Sequence, residues 1–246
     1  MIISVWGNSG SGKSTLAIKL ANSFVRLKKN VVLVDANYIA PQTNIWFPTL
    51  DIKKDKSLSV LLDNSVESIE TVVSKIHTIS ANLGVIGYAK DFSTAMSPSR
   101  QDTATDFLLR IQDVCDVAII DCSSNMLSDI LTFVAIDNMS DERVVAISPD
   151  LRGLSWYDSN VKMMEENWNA NKLGYIRCFN QVHSTAPVSD IEEAIGTVSY
   201  YLPYDTELRR ELYNGTLSTE AHRSNAREYT RVVDSLAQTL MQRHSY

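Results

Sequence analysis

The chain has 246 residues, of which 44% are hydrophobic and 21% charged, and its formal net charge is −6. This composition suits one globular α/β domain spanning residues 1–246, and the acidic balance argues against a general nucleic-acid binder. Three scattered cysteines show no metal-ligand spacing, which favours free buried thiols. The sequence has no signal-peptide pattern, and no apolar run approaches the roughly 18–20 residues of a membrane span. We therefore expect a soluble, cytoplasmic protein without a transmembrane segment.

Short apolar, β-branched runs alternate with amphipathic helical patterns along the whole chain. The predicted strands, in chain order, are Ile2–Trp6, Val31–Val34, Val85–Tyr88, Val117–Ile120, Val144–Ile147 and Tyr175–Phe179. The predicted long helices are one that carries Leu16, Leu20 and Phe24 and ends at Lys28-Lys29-Asn30, then Thr103–Val114, Leu154–Trp168 and Ala226–Gln242. Because uniformly apolar strands must be covered on both faces, the pattern predicts a doubly wound α/β fold with a mostly parallel sheet.

A glycine-rich motif joins the first predicted strand to the first predicted helix. Its residues are Gly7, Asn8, Ser9, Gly10, Ser11, Gly12, Lys13 and Ser14, followed by Thr15, and they match GxxxxGK[ST]. Glycines let backbone N–H groups turn towards phosphate oxygens, and the helix N-terminus adds partial positive charge. We expect Lys13 to reach the terminal phosphates of a nucleotide and the Ser14 hydroxyl to ligate Mg²⁺. A chance glycine turn is the alternative, which the flanking strand and helix disfavour.

Two carboxylates stand at the ends of buried strands. Asp121 ends the run Val117–Ile120, which is the Walker B arrangement for holding Mg²⁺ through its water shell. Asp35 ends the run Val31–Val34 in the same way and is a second candidate beside the metal. Asp121 alone is a weak signal, since many strands end in aspartate, but together with the phosphate loop it is a strong one. The stretch Asn37–Lys56, which follows Asp35, is the longest irregular piece of the sequence, at a position where such folds place function.

Five segments in order resemble the ParA/MinD family of P-loop ATPases, and the match covers almost the whole chain. They are VWGNSGSGKST, similar to the family's deviant Walker A loop; VVLVDANYIAPQTN, similar to its second-strand motif; AIIDCSS, similar to its Walker B; AISPDLRGLSWYDSNVKMME, similar to its strand–Pro–helix segment; and RCFNQV with YYLPYDTELRRELYNG, similar to its adenine-binding pair. The resemblance implies binding of ATP or ADP with Mg²⁺ and a homodimer across the nucleotide. It also implies that Asn180 bonds the adenine and that a turn from Pro203 to Asp205 lines the base pocket.

Two positions depart from the pattern of that family. Its signature lysine, which crosses the dimer to the partner's phosphate, corresponds to Asn8, and the carboxylate that orients the attacking water corresponds to Asn37. An amide can hold a water molecule but cannot accept its proton. We therefore expect weak or slow hydrolysis, with Lys13 stabilising charge and Asp35 as a substitute base, although its expected place is beside the metal.

The absence of the signature lysine indicates which branch of the family the sequence resembles. The branch of the family that tolerates its loss includes the TadZ/CpaE proteins, which localise Flp/Tad pilus assembly machines, and the segment SANLGVIGYAKDFS resembles that branch. An accessory role in secretion or conjugation is an equally open alternative. The sequence thus predicts an ATP-dependent dimerising switch that acts on a partner assembly. Alternatives are an active ATPase of the DNA-partition class and a small-molecule kinase, and no second substrate-binding signature supports the kinase.

Two surface features allow more than one interpretation. Arg223, Arg227 and Arg231 recur at four-residue spacing and could hold DNA, but a net charge of −6 favours a solvated helix face. Trp46 and Phe47, in the loop after the second strand, could contact a partner, but burial in the core is the commoner fate of such residues.

Overall fold

The computed structural model describes residues 1–63, 66, 68–90, 100–167, 174–217 and 227–244. Its sheet has eight strands: β1 Ile2–Gly7, β2 Val31–Asp35, β3 His77–Ser80, β4 Leu83–Ile86, β5 Val117–Asp121, β6 Glu142–Ile147, β7 Tyr175–Val182 and β8 Tyr200–Pro203. They lie in the order β3-β4-β2-β5-β1-β6-β7-β8. Every neighbouring pair is parallel except β3 and β4, which are antiparallel.

Helices cover both faces of this sheet. They are α1 Lys13–Arg26, α2 Thr43–Trp46, α3 Leu58–Asp63, α4 Ile69–Lys75, α5 Gln101–Gln112, α6 Ile130–Val134, α7 Leu151–Tyr157, α8 Met163–Asn167, α9 Val188–Ile195, α10 Thr206–Tyr213 and α11 Arg227–Arg243. A π-helical stretch, Asp158–Lys162, joins α7 to α8, and another, Ala135–Met139, follows α6. Short 3₁₀ turns lie at Lys54–Lys56 and Met126–Ser128.

Alternation along the central strand explains the two helical layers. Successive side chains of a strand point to opposite faces of the sheet. Ile2 accordingly packs in the core beneath α5 and α6, whereas Ile3 packs in the core beneath α1 and α11. Because both faces are buried, the central strands carry apolar residues at nearly every position, as the sequence indicates. The predicted doubly wound, mostly parallel fold is confirmed.

Several predicted element boundaries are wrong. The strand expected at Val85–Tyr88 is β4, which spans Leu83–Ile86. The edge strands β3 and β8 were missed, and Pro203 ends β8 instead of opening a turn, at an edge where a missing N–H is tolerated. The first helix ends at Arg26, before the expected lysines. The third predicted helix begins earlier, at Leu151, because Asp150 caps it by accepting a bond from the Gly153 N–H at 2.9 Å.

The structure describes one of the two ambiguous surface features fully and the other only in part. Trp46 and Phe47 are buried, at 1% and 4% exposure, so the expected core role is confirmed. Arg227 and Arg231 lie exposed on α11, whereas Arg223 falls outside the described residues. The predicted helix ends Trp168 and Ala226 also fall outside them. Among the helices described, none combines the length and apolar character needed to span a membrane.

Candidate functional site

The phosphate loop sits where β1 meets α1, at the carboxyl edge of the sheet. Gly10 and Gly12 adopt positive φ angles of 77° and 79°, which L side chains rarely accept, and Gly12 is the N-cap of α1. A β-carbon on Gly7 would lie 2.0 Å from the Ala146 carbonyl oxygen of neighbouring β6. The glycine pattern therefore follows from backbone conformation and from strand packing. The loop wraps the N-terminus of α1, whose first turn carries no acidic side chain.

Lys13 and Ser14, the first residues of α1, both face the end of β5. The Lys13 Nζ donates to the Ser124 hydroxyl at 2.8 Å, and the Ser14 hydroxyl donates to Asp121 Oδ2 at 2.7 Å. Burial raises the pKa of Asp121 to about 7; nearby Lys13 and the Ser14 bond counter that rise, and Asp35 adds to it. Lys13, Ser14 and Asp121, all three predicted site residues, thus lie together in one group.

This group fits a magnesium ion. The second oxygen of Asp121, Oδ1, is buried and has no hydrogen-bond partner among the residues that the structure describes. A buried carboxylate oxygen without a donor is costly, and an ion or its hydration shell would satisfy it. Mg²⁺ prefers oxygen ligands and keeps several of its waters. Ser14 and Asp121 would hold the ion, which would supply positive charge to stabilise the phosphates of a bound nucleotide.

Asp35 lies opposite Asp121 in the β2–β5 register, yet its carboxylate is occupied by its own loop. Its Oδ1 accepts the Asn37 N–H at 3.2 Å, and its Oδ2 accepts the N–H groups of Gln42 and Thr43, at 2.7 and 2.9 Å, and the Thr43 hydroxyl at 2.8 Å. Burial raises the pKa of Asp35, and these donors oppose the rise. The contacts show Asp35 anchoring the loop that leads into α2. Its predicted metal and base roles stay predictions.

A cleft of about 420 Å³ extends from the phosphate loop along the sheet edge, within the roughly 300–1,000 Å³ typical of small-molecule sites. Predicted residues that line it are Ser9, Gly10, Gly12, Lys13, Ser14, Thr15, Asn37, Asn180, Pro203 and Asp205. Five other predicted residues are buried and do not line it: Gly7, Asn8, Ser11, Asp35 and Asp121. Sequence reasoning missed other lining residues, among them Trp46, Ser124, Gln181, Arg209 and Tyr229.

One side of the cleft is built from the carboxyl ends of β7 and β8 and from α10. Asn180 is buried, and its Oδ1 accepts the Gln181 N–H at 3.0 Å, which directs its Nδ2 towards the phosphate loop, 2.8 Å from where a β-carbon on Gly12 would stand. Asp205 caps α10 by accepting the N–H groups of Glu207 and Leu208 at 2.8 and 3.2 Å. Both predicted residues therefore line the cleft, and both also perform a structural task.

Asn8 points into the protein and is only 4% exposed. Its Nδ2 donates to the Ser148 hydroxyl at 2.9 Å, and its Oδ1 accepts the Ser148 N–H at 3.0 Å. The Ser148 hydroxyl in turn bonds Asp150, the cap of α7, at 3.0 Å. Asn8 therefore ties the phosphate loop to the β6–α7 connection. Asn37, in contrast, lines the cleft, and its side-chain oxygen accepts only a 3.3 Å bond from the Ala40 N–H among the described contacts.

A phosphate loop between β1 and α1, with an aspartate at the end of neighbouring β5, defines the class of P-loop nucleotide-binding proteins. A family model described as an AAA domain matches residues 1–173, and the chain belongs to that family. A ParA family ATPase from Chlorobium tepidum TLS is similar in structure, with a TM-score of 0.76 and 18% identity over 97% of this chain and 98% of that one.

Two further solved structures show the same likeness. The septum site-determining protein MinD of Pyrococcus horikoshii OT3, complexed with Mg-ADP, gives a TM-score of 0.75 at 17% identity, covering 97% of this chain and 95% of its own. A putative plasmid partition protein from Borrelia burgdorferi B31, bound to AMPPNP, gives 0.71 at 17% identity, covering 97% and 98%. The fold of this chain is thus that of the ParA and MinD ATPases. No curated protein sequence matches it significantly.

Proposed function

We propose that this protein binds ATP with Mg²⁺ and acts as a nucleotide-dependent dimerising switch with slow hydrolysis. The observation that carries the proposal is the continuous cleft, which is lined by Lys13 and Ser14 of the phosphate loop and, beside that loop, by Asn180. Loop N–H groups and Lys13 would hold the phosphates. Asn180 would face the base, since an amide can pair with adenine. The Mg-ADP and AMPPNP bound to similar structures support this choice of ligand.

Slow hydrolysis is proposed because the described residues that line the cleft beside Lys13 and Ser14 include no carboxylate that is free to act as a base. Among the described lining residues, Asp205 is the only carboxylate, and its oxygen caps α10. Asn37 stands at the cleft but cannot accept a proton from water. A general base contributes typically about 10²–10⁴-fold to rate. Lys13 would stabilise charge on the terminal phosphates, and an attacking water would be held without being deprotonated.

An apolar surface beside the cleft supports dimerisation. Ile39, Leu127 and Leu151 are 56%, 68% and 76% exposed, and they follow β2, β5 and β6, whose carboxyl ends share the edge that holds the phosphate loop. The Tyr38 hydroxyl donates to the Ser128 carbonyl at 2.8 Å, which joins the loops that carry Ile39 and Leu127. Exposed aliphatic residues grouped around a ligand site are typical of an interface. A second copy that meets this edge would close over the nucleotide.

The partner of such a switch is proposed to be a larger assembly, such as pilus, secretion or conjugation machinery. An active ATPase of the DNA-partition class is the second candidate. The plasmid partition protein of similar fold and the exposed Arg227 and Arg231 favour that candidate. A net charge of −6 opposes it, because the overall field repels phosphates at ordinary salt.

Calorimetry with ATP and Mg²⁺ tests the ligand. Wild type should bind and Lys13→Ala should not, because the ammonium is the main point charge on the terminal phosphates. Lys162→Ala, an exposed lysine outside the cleft, is the matched control and should bind normally. Undiminished binding by Lys13→Ala would mean that the phosphate loop has been misidentified.

Sedimentation with AMPPNP tests the dimer. Leu127→Asp should stay monomeric while it still binds nucleotide. Leu109→Asp, which places the same charge at another exposed leucine, on α5, should dimerise like wild type. Equal behaviour of the two variants would refute the proposed interface.

A further inference from the structure

Gln181 has an unusual backbone at the carboxyl end of β7. Its φ angle is +62°, a left-handed conformation that costs free energy for residues other than glycine. Within the described residues, Lys28 is the one other non-glycine residue with positive φ. The β7–β8 pairing shifts register between Phe179 and Val182, so the strand is irregular at this point. The pairing resumes beyond it, where the Tyr204 N–H donates to the Val182 carbonyl at 2.9 Å. The flanking strands therefore hold Gln181 in its strained conformation.

This conformation directs the side chain onto the phosphate loop. Gln181 Nε2 donates to the Gly10 carbonyl at 2.6 Å, a bond between residues 171 positions apart in the chain. The same nitrogen lies 3.2 Å from the place of a β-carbon on Gly12, and Asn180 Nδ2 lies 2.8 Å from it. Two adjacent amide side chains thus press against the turn Gly10–Gly12. Only the nitrogen of an amide can donate to a carbonyl, so chemistry fixes the orientation of the Gln181 amide.

We propose that Gln181 is a positioning residue for the phosphate loop. Its bond to Gly10 holds the left-handed turn that presents the loop N–H groups to phosphates, so the loop is already in its binding shape before the ligand arrives. Preorganisation of this kind raises affinity by lowering the ordering cost of binding. Because Asn180 is the preceding residue, one short backbone segment places two amide side chains beside the phosphate loop. The inference rests on the proposed function and assigns a residue to its phosphate end.

Two variants and one control test this role. Gln181→Gly removes the side chain and relieves the backbone strain, and Gln181→Asn keeps an amide on a stem too short to reach Gly10. Lys28→Gly relieves the other strained residue, which is exposed and outside the cleft. Binding of Mg²⁺ with ATP, and of Mg²⁺ with inorganic tripolyphosphate, is measured by calorimetry. Both Gln181 variants should bind both probes about three- to tenfold more weakly, the value of one net hydrogen bond, and Lys28→Gly should match wild type.

The outcomes separate this inference from the proposed function. Unchanged affinity of Gln181→Gly for both probes overturns the positioning role and leaves the function intact. A loss for ATP with none for tripolyphosphate also overturns it, because Gln181 would then contact the base and not support the loop. An equal loss in Lys28→Gly overturns it as well, since strain relief alone would explain the change. A wild-type protein that binds neither probe refutes the proposed function, and this inference falls with it.

Discussion

Substituting Asp121 by asparagine should have opposite effects on stability and on metal-dependent binding. In the folded protein, burial raises the pKa of this carboxyl from 3.8 to about 7. A carboxyl whose pKa is higher in the folded than in the unfolded protein stabilises the fold at low pH. This stabilisation is lost as the pH rises from about 4 to about 7. Above pH 7 the wild-type protein carries a buried carboxylate whose Oδ1 has no hydrogen-bond partner in the described part of the chain. Asparagine removes that charge and can still accept the Ser14 bond.

The magnitude follows from the shift in pKa. About 3 pKa units at 1.36 kcal/mol each give an upper value of about 4 kcal/mol at pH 8. Water that enters the cleft relieves part of the desolvation, but even half of this value, about 2 kcal/mol, raises the Tm of a domain of this size by about 4–8 °C. At pH 4–5 the carboxyl is protonated and nearly isosteric with the amide, so the Tm difference should almost vanish there.

Thermal melts of the ligand-free protein between pH 4.5 and 8.5, with Asp113→Asn as an exposed control, measure this trend. Calorimetry at pH 8 completes the test. In EDTA the Asp121→Asn variant should bind ATP at least as well as wild type, since a negative charge has been removed, and added Mg²⁺ should bring it no gain. A Tm difference that does not change with pH, or a variant less stable than wild type at pH 8, would refute the reasoning. Mg²⁺ dependence equal to that of wild type would show that the ion lies elsewhere.

Three further predictions concern the base, the chemistry and DNA. Wild type should prefer ATP over GTP in competition, and Asn180→Ala should lose most of that preference, because the amide pairs with adenine; equal competition in wild type would contradict the base assignment. In hydrolysis of ATP, wild type should release phosphate slowly, Asn37→Asp faster, and the double variant Asn8→Lys with Asn37→Asp faster still. Fast hydrolysis by wild type would show that another group supplies the base. Random duplex DNA should bind weakly at ~150 mM salt; micromolar affinity lost on Arg227→Ala would favour the partition class.

Local sequence was enough to predict the phosphate loop and the central strands. A strand, a glycine turn and a helix follow one another within about 25 residues, so neighbouring positions determine their shape. The edge strands are different. β3 is four residues long and alternates half-buried with exposed positions, and β8 contains Pro203, so neither has the continuous apolar run that identified the inner strands.

Contacts between distant segments could not be read from the sequence. The sequence shows that Asn8 stands where the family has a lysine, but it does not show what Asn8 contacts. Its partner Ser148 is 140 residues away, too far for a sequence pattern to relate the two positions. Asp35 gave the same signal as Asp121, an aspartate ending an apolar strand. Only the fold shows that the Asp35 oxygens accept bonds from Asn37, Gln42 and Thr43. One oxygen of Asp121, in contrast, has no hydrogen-bond partner within the described ranges. Gln181 carried no signal, because its role depends on a φ angle.

The two departures from the ParA/MinD pattern differ in kind. Asn8 is part of the structure: a lysine there would vacate two buried bonds to Ser148, and an unsatisfied buried N–H costs roughly 1–3 kcal/mol. Asn37 has no comparable commitment, since its side chain makes one long bond at the surface of the cleft. A change at position 37 alters chemistry at little structural cost, whereas a change at position 8 must also rebuild the connection to α7. The slow hydrolysis that we propose therefore depends on a side chain that can be replaced at little structural cost, whereas Asn8, in place of the signature lysine, is part of the packing of the fold.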